Sequence, residues 1–153
     1  MTTPTPTAPR QPPKLANRLL GAALHLPFTT PLSRAILLLT FTGRKSGKRF
    51  TTPVGYQRMG EVVTLFTDHD WYKNLQAQPK VTLLLAGKTL HGTATVTHGQ
   101  PDVIDPALWD FVQASPAAAR AYGVSRTANG QLDRASATAA AARFTLIRVQ
   151  LVS

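Results

Sequence analysis

Ile36-Leu37-Leu38-Leu39-Thr40-Phe41-Thr42-Gly43-Arg44-Lys45-Ser46-Gly47-Lys48-Arg49-Phe50-Thr51-Thr52-Pro53-Val54 runs from an apolar segment through a basic tip into a Thr-rich segment. The apolar segment has the length of a buried strand, Gly43 and Gly47 supply turn chemistry at both ends of the tip, and the β-branched residues after Phe50 favour a second strand. The local reading is strand, basic turn, strand. Arg44, Lys45, Lys48 and Arg49 surround Gly47, and with the Ser46 hydroxyl they suit an anionic ligand; a solvated charged tip is the alternative. A phosphate-binding P-loop is excluded. Three residues, not four, separate Gly43 from Gly47-Lys48, Arg49 stands where Ser or Thr is needed, and the segment around Pro53 cannot open a helix.

Outward from this hairpin, strands are expected near residues 35–42, 49–58 and 61–67, the last two joined by Arg58-Met59-Gly60-Glu61. Asp68 or Asp70 is expected to cap a short helix from Trp71 to Leu75, ended by Pro79. Lys80 to Ala86 and Thr89 to Thr97 read as a second hairpin about Gly87. In its second strand Leu90, Gly92, Ala94 and Val96 share one face, and Thr89, His91, Thr93, Thr95 and Thr97 the other, as in a barrel wall. Asp105 to Tyr122 reads as helix interrupted at Pro116. Gly123 to Ala142 reads as a loosely packed excursion ending in a small helix, and Arg143 to Val152 as the closing strand. Six strands with short helices make a small antiparallel barrel.

Before this core, residues 1–13 hold Pro4, Pro6, Pro9, Pro12 and Pro13, which predicts a disordered tail, with one domain over 14–153. Lys14 to Leu26 predicts a short amphipathic helix stopped by Pro27, whose Lys14 and Arg18 face allows weak contact with a membrane surface. The 153-residue chain carries a formal charge of +10, and nine Lys or Arg precede the first acidic residue, Glu61. This imbalance points to an anionic partner: a phosphorylated cofactor, a lipid surface or nucleic acid. Cysteine is absent, and His25, His69, His91 and His98 lack metal-ligand spacing, so no metal site is expected. With neither a signal segment nor a membrane span in the sequence, a cytoplasmic address is expected.

Four ordered motifs, Leu37 to Gly47, Thr51-Thr52-Pro53-Val54-Gly55-Tyr56, Asp70-Trp71-Tyr72-Lys73-Asn74-Leu75 and Pro79-Lys80-Val81, resemble the deazaflavin-dependent nitroreductase family. They lie within about residues 35 to 100, with Tyr122-Gly123-Val124 a weaker match beyond. The resemblance implies an α+β chain, mainly β with short helices, folded as a split β-barrel related to FMN-binding barrels. It implies coenzyme F-420, an 8-hydroxy-5-deazaflavin hydride carrier with a phosphate and a glutamate tail; FMN is the alternative. The tail would be held by Arg44, Lys45, Ser46, Gly47, Lys48 and Arg49. The ring would lie along Thr51, Thr52 and Pro53, where the missing amide hydrogen marks an edge or bulge. Trp71 would wall the pocket and Asn74 would fix polar groups, although core packing and a helix-end partner are equally good readings of these two. Relatives often carry a longer Gly- and Lys-containing loop where this chain has Thr67-Asp68-His69-Asp70, and of their several C-terminal tyrosines only Tyr122 remains.

Hydride transfer requires orientation of ring against acceptor and no obligatory protein nucleophile. Tyr122 or His69 is placed to supply a proton, with helix-end packing or an exposed loop as the structural alternatives. The expectation is an oxidoreductase, a homodimer as in related barrels, that passes a hydride to a small electrophilic acceptor: a quinone, a nitro compound or an activated double bond. Its rivals are an FMN enzyme of the same fold and a non-turning carrier of cofactor, haem or lipid. A nucleic-acid barrel would require Phe41, Phe50 and Tyr56 to be exposed for base stacking, and their alternation is that of core residues.

Overall fold

The computed structural model describes residues 36–152. The expected tail, the N-terminal amphipathic helix and its membrane contact lie outside the described residues. In chain order the elements are β1 (Ile36–Thr42), β2 (Arg49–Gly55), β3 (Gln57–Met59), β4 (Val62–Thr67), α1 (Tyr72–Ala77), β5 (Lys80–Leu85), β6 (Lys88–Thr97), α2 (Pro101–Ala114), a 3-10 helix (Pro116–Tyr122), α3 (Arg134–Ala141) and β7 (Thr145–Leu151). The strands form one seven-stranded sheet in the order β2-β1-β5-β6-β7-β4-β3, and every pairing is antiparallel.

Topology dictates the curl of this sheet. β2 and β3 occupy its two opposite edges, yet only Tyr56 separates them in the chain. A flat sheet of seven strands, at about 4.8 Å per strand, cannot be bridged by one residue. The sheet therefore bends until its edges approach, leaving a seam between β2 and β4 rather than a closed ladder. The strand expected over 49–58 is thus two strands, because the chain changes edges at Tyr56, and the six strands expected become seven.

Alternation sorts the side chains onto two faces. Inside the curl, Leu37, Leu39, Phe41, Val63, Leu65, Leu83, Ile147 and Val149 are buried together, and Trp71 and Leu75 of the α1 segment seal one end. Phe66 and Leu146 point outward from directly paired positions of β4 and β7, and both are buried. They pack under α2, the 3-10 helix and α3 with Ile104, Leu108, Phe111, Tyr122 and Phe144. This makes a second layer on one part of the outer face. The outward Thr89, His91, Thr93 and Thr95 of β6 are exposed, as their alternation predicts. Ala86 and Gly87 both have positive φ, which gives the β5–β6 hairpin the backbone hand that suits a two-residue turn.

Three local expectations are corrected. Neither Asp68 nor Asp70 caps α1: Trp71 holds the cap position without a side-chain bond, and Asp70 contributes only its carbonyl, which accepts from Lys73 N at 3.2 Å. α2 begins at Pro101 rather than Asp105, since proline fits the first helical turn, where its missing N–H is not needed. The excursion after Gly123 is tied down. Arg126 donates to Gly130 O at 2.9 Å and Pro116 O at 3.3 Å, and Arg134 pairs with Asp105 at 2.6 Å while lying 5.0 Å over the Trp109 ring.

Candidate functional site

The basic tip is held in a defined shape. Gly43 N donates to Lys48 O at 2.7 Å and Gly47 N to Gly43 O at 3.0 Å, with Gly47 at φ +70. Gly43 admits the Phe50 ring, because a Cβ there would meet that ring at 2.6 Å. Ser46 Oγ accepts from Lys48 N at 3.2 Å. Arg44 is the fixed cation of the set: its backbone N and its Nη1 both donate to Asn74 Oδ1, each at 3.0 Å, and Asn74 Nδ2 donates to Trp71 O at 3.1 Å. Asn74 thus joins the tip to α1, and its amide oxygen is already occupied by Arg44.

Arg44, Lys45, Lys48 and Arg49 are exposed, and among the described residues no carboxylate lies within ion-pair distance of any of them. The ion pairs of the described residues are Arg58 with Glu61 and Arg134 with Asp105, and His69 Nε2 lies 3.6 Å from Asp68 Oδ1. Four cations on one short turn repel one another, and they are neutralised best by a ligand bearing several negative charges. The donor set therefore fits a polyanionic tail.

Along β2 the surroundings change. A cavity of about 340 Å³ opens at the seam, lined by Thr52, Pro53, Val54 and Gly55 of β2, by Phe66, Thr67, Asp68 and His69 at the end of β4, and by Trp71, Ala121, Tyr122 and Phe144. Its β2 wall begins three residues after Arg49, about 10 Å at the rise of a strand. Pro53 pairs with Leu38 of β1 from the sheet's edge strand, where its missing N–H leaves no ladder bond unmade. Trp71 stacks on Phe41 with centroids 5.4 Å apart, so it is a core residue and a cavity wall at once.

Tyr122 ends the 3-10 helix inside an aromatic cluster, edge-on to Phe66 at 6.2 Å and to Phe111 at 5.2 Å and tilted against Phe144 at 5.6 Å. Burial pushes its phenol above the ordinary value of 10.0, so it is a neutral hydrogen-bond donor at physiological pH. His69 lies at the cavity mouth with Nε2 3.6 Å from Asp68 Oδ1.

Thr52, Pro53, Trp71 and Tyr122 thus come together at the cavity, and Arg44, Lys45, Ser46, Gly47, Lys48 and Arg49 together at the tip. Thr51 stands apart from the lining; its hydroxyl is 2.9 Å from that of Thr40. Sequence reasoning missed Phe66 and Phe144. An apolar residue on the outward side of β4, out of phase with Val63 and Leu65, was the available signal for Phe66. Phe41 is buried, which removes its ring as a platform for bases, and it stacks with the half-buried Phe50 at 5.9 Å.

Residues 23–129 match the F420H(2)-dependent quinone reductase family. No curated protein matches the chain. Among solved structures the chain is similar to an F420-H2 dependent reductase, FDR-A, with 23% identity, 76% of this chain and 94% of that chain covered, and a TM-score of 0.51. A protein of unknown function from Agrobacterium tumefaciens has 18% identity, 99% and 58% coverage and a TM-score of 0.55. A pyridoxamine 5'-phosphate oxidase-related, FMN-binding protein from Nostoc punctiforme has 15% identity, 92% and 81% coverage and a TM-score of 0.54. These likenesses show a shared fold, the split barrel.

Proposed function

The chain belongs to the F420H(2)-dependent quinone reductase family, and from that premise we propose that it passes a hydride from reduced coenzyme F420 to a small, planar, uncharged acceptor, a quinone in the first instance. The observation that carries this reading is the gradient along β2: four cations with no acidic partner among the described residues at one end, and an aromatic-walled cavity at the other. It matches a ligand with a polyanionic tail and an aromatic head. FMN has one phosphate, and four cations exceed what one phosphate requires.

The bound deazaflavin supplies the hydride carrier chemistry, and the protein supplies binding and orientation. Arg44, held by Asn74, offers a fixed guanidinium fork to a phosphate or carboxylate, Arg49 adds a second fork, and Lys45 and Lys48 add point charges. Along Thr52 and Pro53 the strand edge admits a ring, and Trp71 closes the side. Phe66, Tyr122 and Phe144 give the acceptor an apolar berth that excludes water. The neutral Tyr122 phenol would donate to an acceptor oxygen, orienting a carbonyl and stabilising the charge that develops there. An apolar berth with Asp68 at its mouth disfavours anionic acceptors.

Fluorescence titration of the purified protein with F420 at two ionic strengths, followed by turnover with a soluble quinone, a nitroarene and an activated alkene, tests the reading. One F420 per chain, binding that survives moderate salt and preferred reduction of the quinone are expected. Binding of FMN in place of F420, or affinity for single-stranded DNA that exceeds both and falls steeply with salt, would overturn it.

A further inference from the structure

Between the 3-10 helix and α3 the chain makes a small hairpin. Arg126 and Leu132 form an isolated antiparallel bridge, Thr127 N donates to Gln131 O at 2.7 Å, and Gly130 N donates to Thr127 O at 2.9 Å across the turn. Gly130 sits at φ +81, in the left-handed region that glycine enters without a Cβ penalty, so a turn of this shape selects glycine here. The residue before it is Asn129. Both are exposed, and apart from chain neighbours no heavy atom lies within 4 Å of the place a Cβ on Gly130 would take. The Asn129 side chain has no hydrogen-bond partner among the described residues. Of the asparagines of the chain, Asn17, Asn74 and Asn129, this is the one followed by glycine. Asn74 precedes Leu75 inside α1, and its amide is bonded to Arg44 and to Trp71 O.

We propose that Asn129 is a site of spontaneous deamidation and that the modification releases a clasp on the cavity wall. The Gly130 backbone nitrogen attacks Cγ of Asn129. A C–N bond forms and closes a succinimide ring, the bond from Cγ to the side-chain nitrogen breaks, and ammonia leaves with the proton of the backbone nitrogen. Water then opens the ring. Cleavage of the bond at Cγ leaves aspartate at position 129, and cleavage at the backbone carbonyl leaves isoaspartate, in which the main chain runs through the side-chain methylene. The turn bond from Gly130 N to Thr127 O must open first, and an exposed tip held by few bonds lies at the low end of local stability. Arg126 transmits the consequence. Its Nη1 donates to Gly130 O at 2.9 Å and its Nη2 to Pro116 O at 3.3 Å, so the hairpin tip holds the start of the 3-10 helix that ends at Tyr122. Ala121 and Tyr122 of that helix wall the cavity. Isoaspartate lengthens the main chain beside Gly130 and carries its carbonyl away from Arg126, and the new carboxylate competes for the same guanidinium. The wall therefore loosens as the protein ages.

The test incubates the full-length protein at physiological temperature in mildly alkaline buffer, beside Asn129→Gln, whose longer side chain closes the ring far less readily. Tryptic peptides are followed by mass spectrometry, and trypsin releases residues 127–134 as one peptide. That peptide should exchange an amide for an acid, mainly as isoaspartate, at a rate within roughly tenfold of the same peptide free in solution, as a tip of low local stability allows. The peptide carrying Asn74 should stay unchanged. In aged wild type the amides of residues 116–122 should exchange hydrogen faster and the Tm should fall, whereas fresh protein and aged Asn129→Gln should show neither change. A folded chain that keeps Asn129 intact far longer than the free peptide does overturns the site. Deamidation that leaves exchange over residues 116–122 unaltered overturns the clasp. Neither outcome depends on F420, so the reductase reading is tested separately.

Discussion

Arg49 and Pro53 of β2 lie about 13 Å apart along the strand and are held by opposite physics. At the Arg49 end the chain is exposed, the cations have no acidic partner among the described residues, and shape comes from backbone hydrogen bonds and one amide, that of Asn74. At the Pro53 end the lining is largely apolar and aromatic, with Thr52, Thr67, Asp68 and His69 as its polar members, and Trp71, Phe66 and Tyr122 owe their positions to core packing. The comparison teaches that the charged end can be altered with little effect on folding, whereas the apolar end is inseparable from the core. Trp71 and Asn74, both in the α1 segment, connect the two.

The most severe way to break this contrast is Trp71→Ala. It removes a buried ring stacked on Phe41 and should cost about 3–5 kcal/mol of stability, visible as a large fall in Tm, with F420 binding lost as well. Lys45→Ala with Lys48→Ala should affect only the charged end. Loss of charge-assisted hydrogen bonds worth about 1.5–3 kcal/mol predicts F420 binding weaker by roughly ten- to a hundredfold, a shallower salt dependence and an unchanged Tm. Asn74→Ala cuts the connection and frees Arg44. A loss near 1 kcal/mol in binding, with a Tm lower by a few degrees, is expected from the hydrogen bonds removed. Unchanged affinity in either variant would mean the tip does not hold the tail.

Tyr122→Phe sharpens the apolar end by a smaller amount. The folded phenol titrates above its ordinary value, so above about pH 10 the unfolded chain loses its proton first and stability falls as pH rises through the folded value. Wild type should therefore lose stability in that alkaline window, and Tyr122→Phe should lose less of it. Tyr56, also raised by burial and partly offset by Arg58, keeps a residual slope in the variant. Denaturant unfolding at pH 8 and pH 10.5 measures the difference.

How much of this was legible in the chain follows the range of the forces involved. β1, the tip and β2 were readable because alternation, two glycines and the β-branched residues act locally, and they gave strand limits within a residue of those observed at Ile36–Thr42. The break at Tyr56 was not readable. Nothing local distinguishes a strand that continues from one that changes edges, and that outcome is set by closure of the whole sheet. The start of α2 at Pro101 yielded to first-turn chemistry that the apolar spacing around Leu108 concealed. The cavity's far wall depends on Phe66 lying opposite Leu146, a pairing between residues distant in sequence. For the tip, the charges were evident from composition, while the clamp on Arg44 required knowing that α1 folds back onto it.

Among the described residues the curled sheet stops short of closing and leaves two strand edges without a pairing strand, and an uncovered edge invites another strand from another molecule. Both edges here are poor templates. β3 has three residues and carries Arg58, too short to nucleate pairing. β2 begins at a cationic tip, lacks a donor at Pro53 and ends at Gly55, so an incoming strand finds charge, a missing hydrogen bond and a weak terminus in turn. The proline that lines the seam cavity therefore also guards this edge against aggregation. Replacing it would make this edge more adhesive.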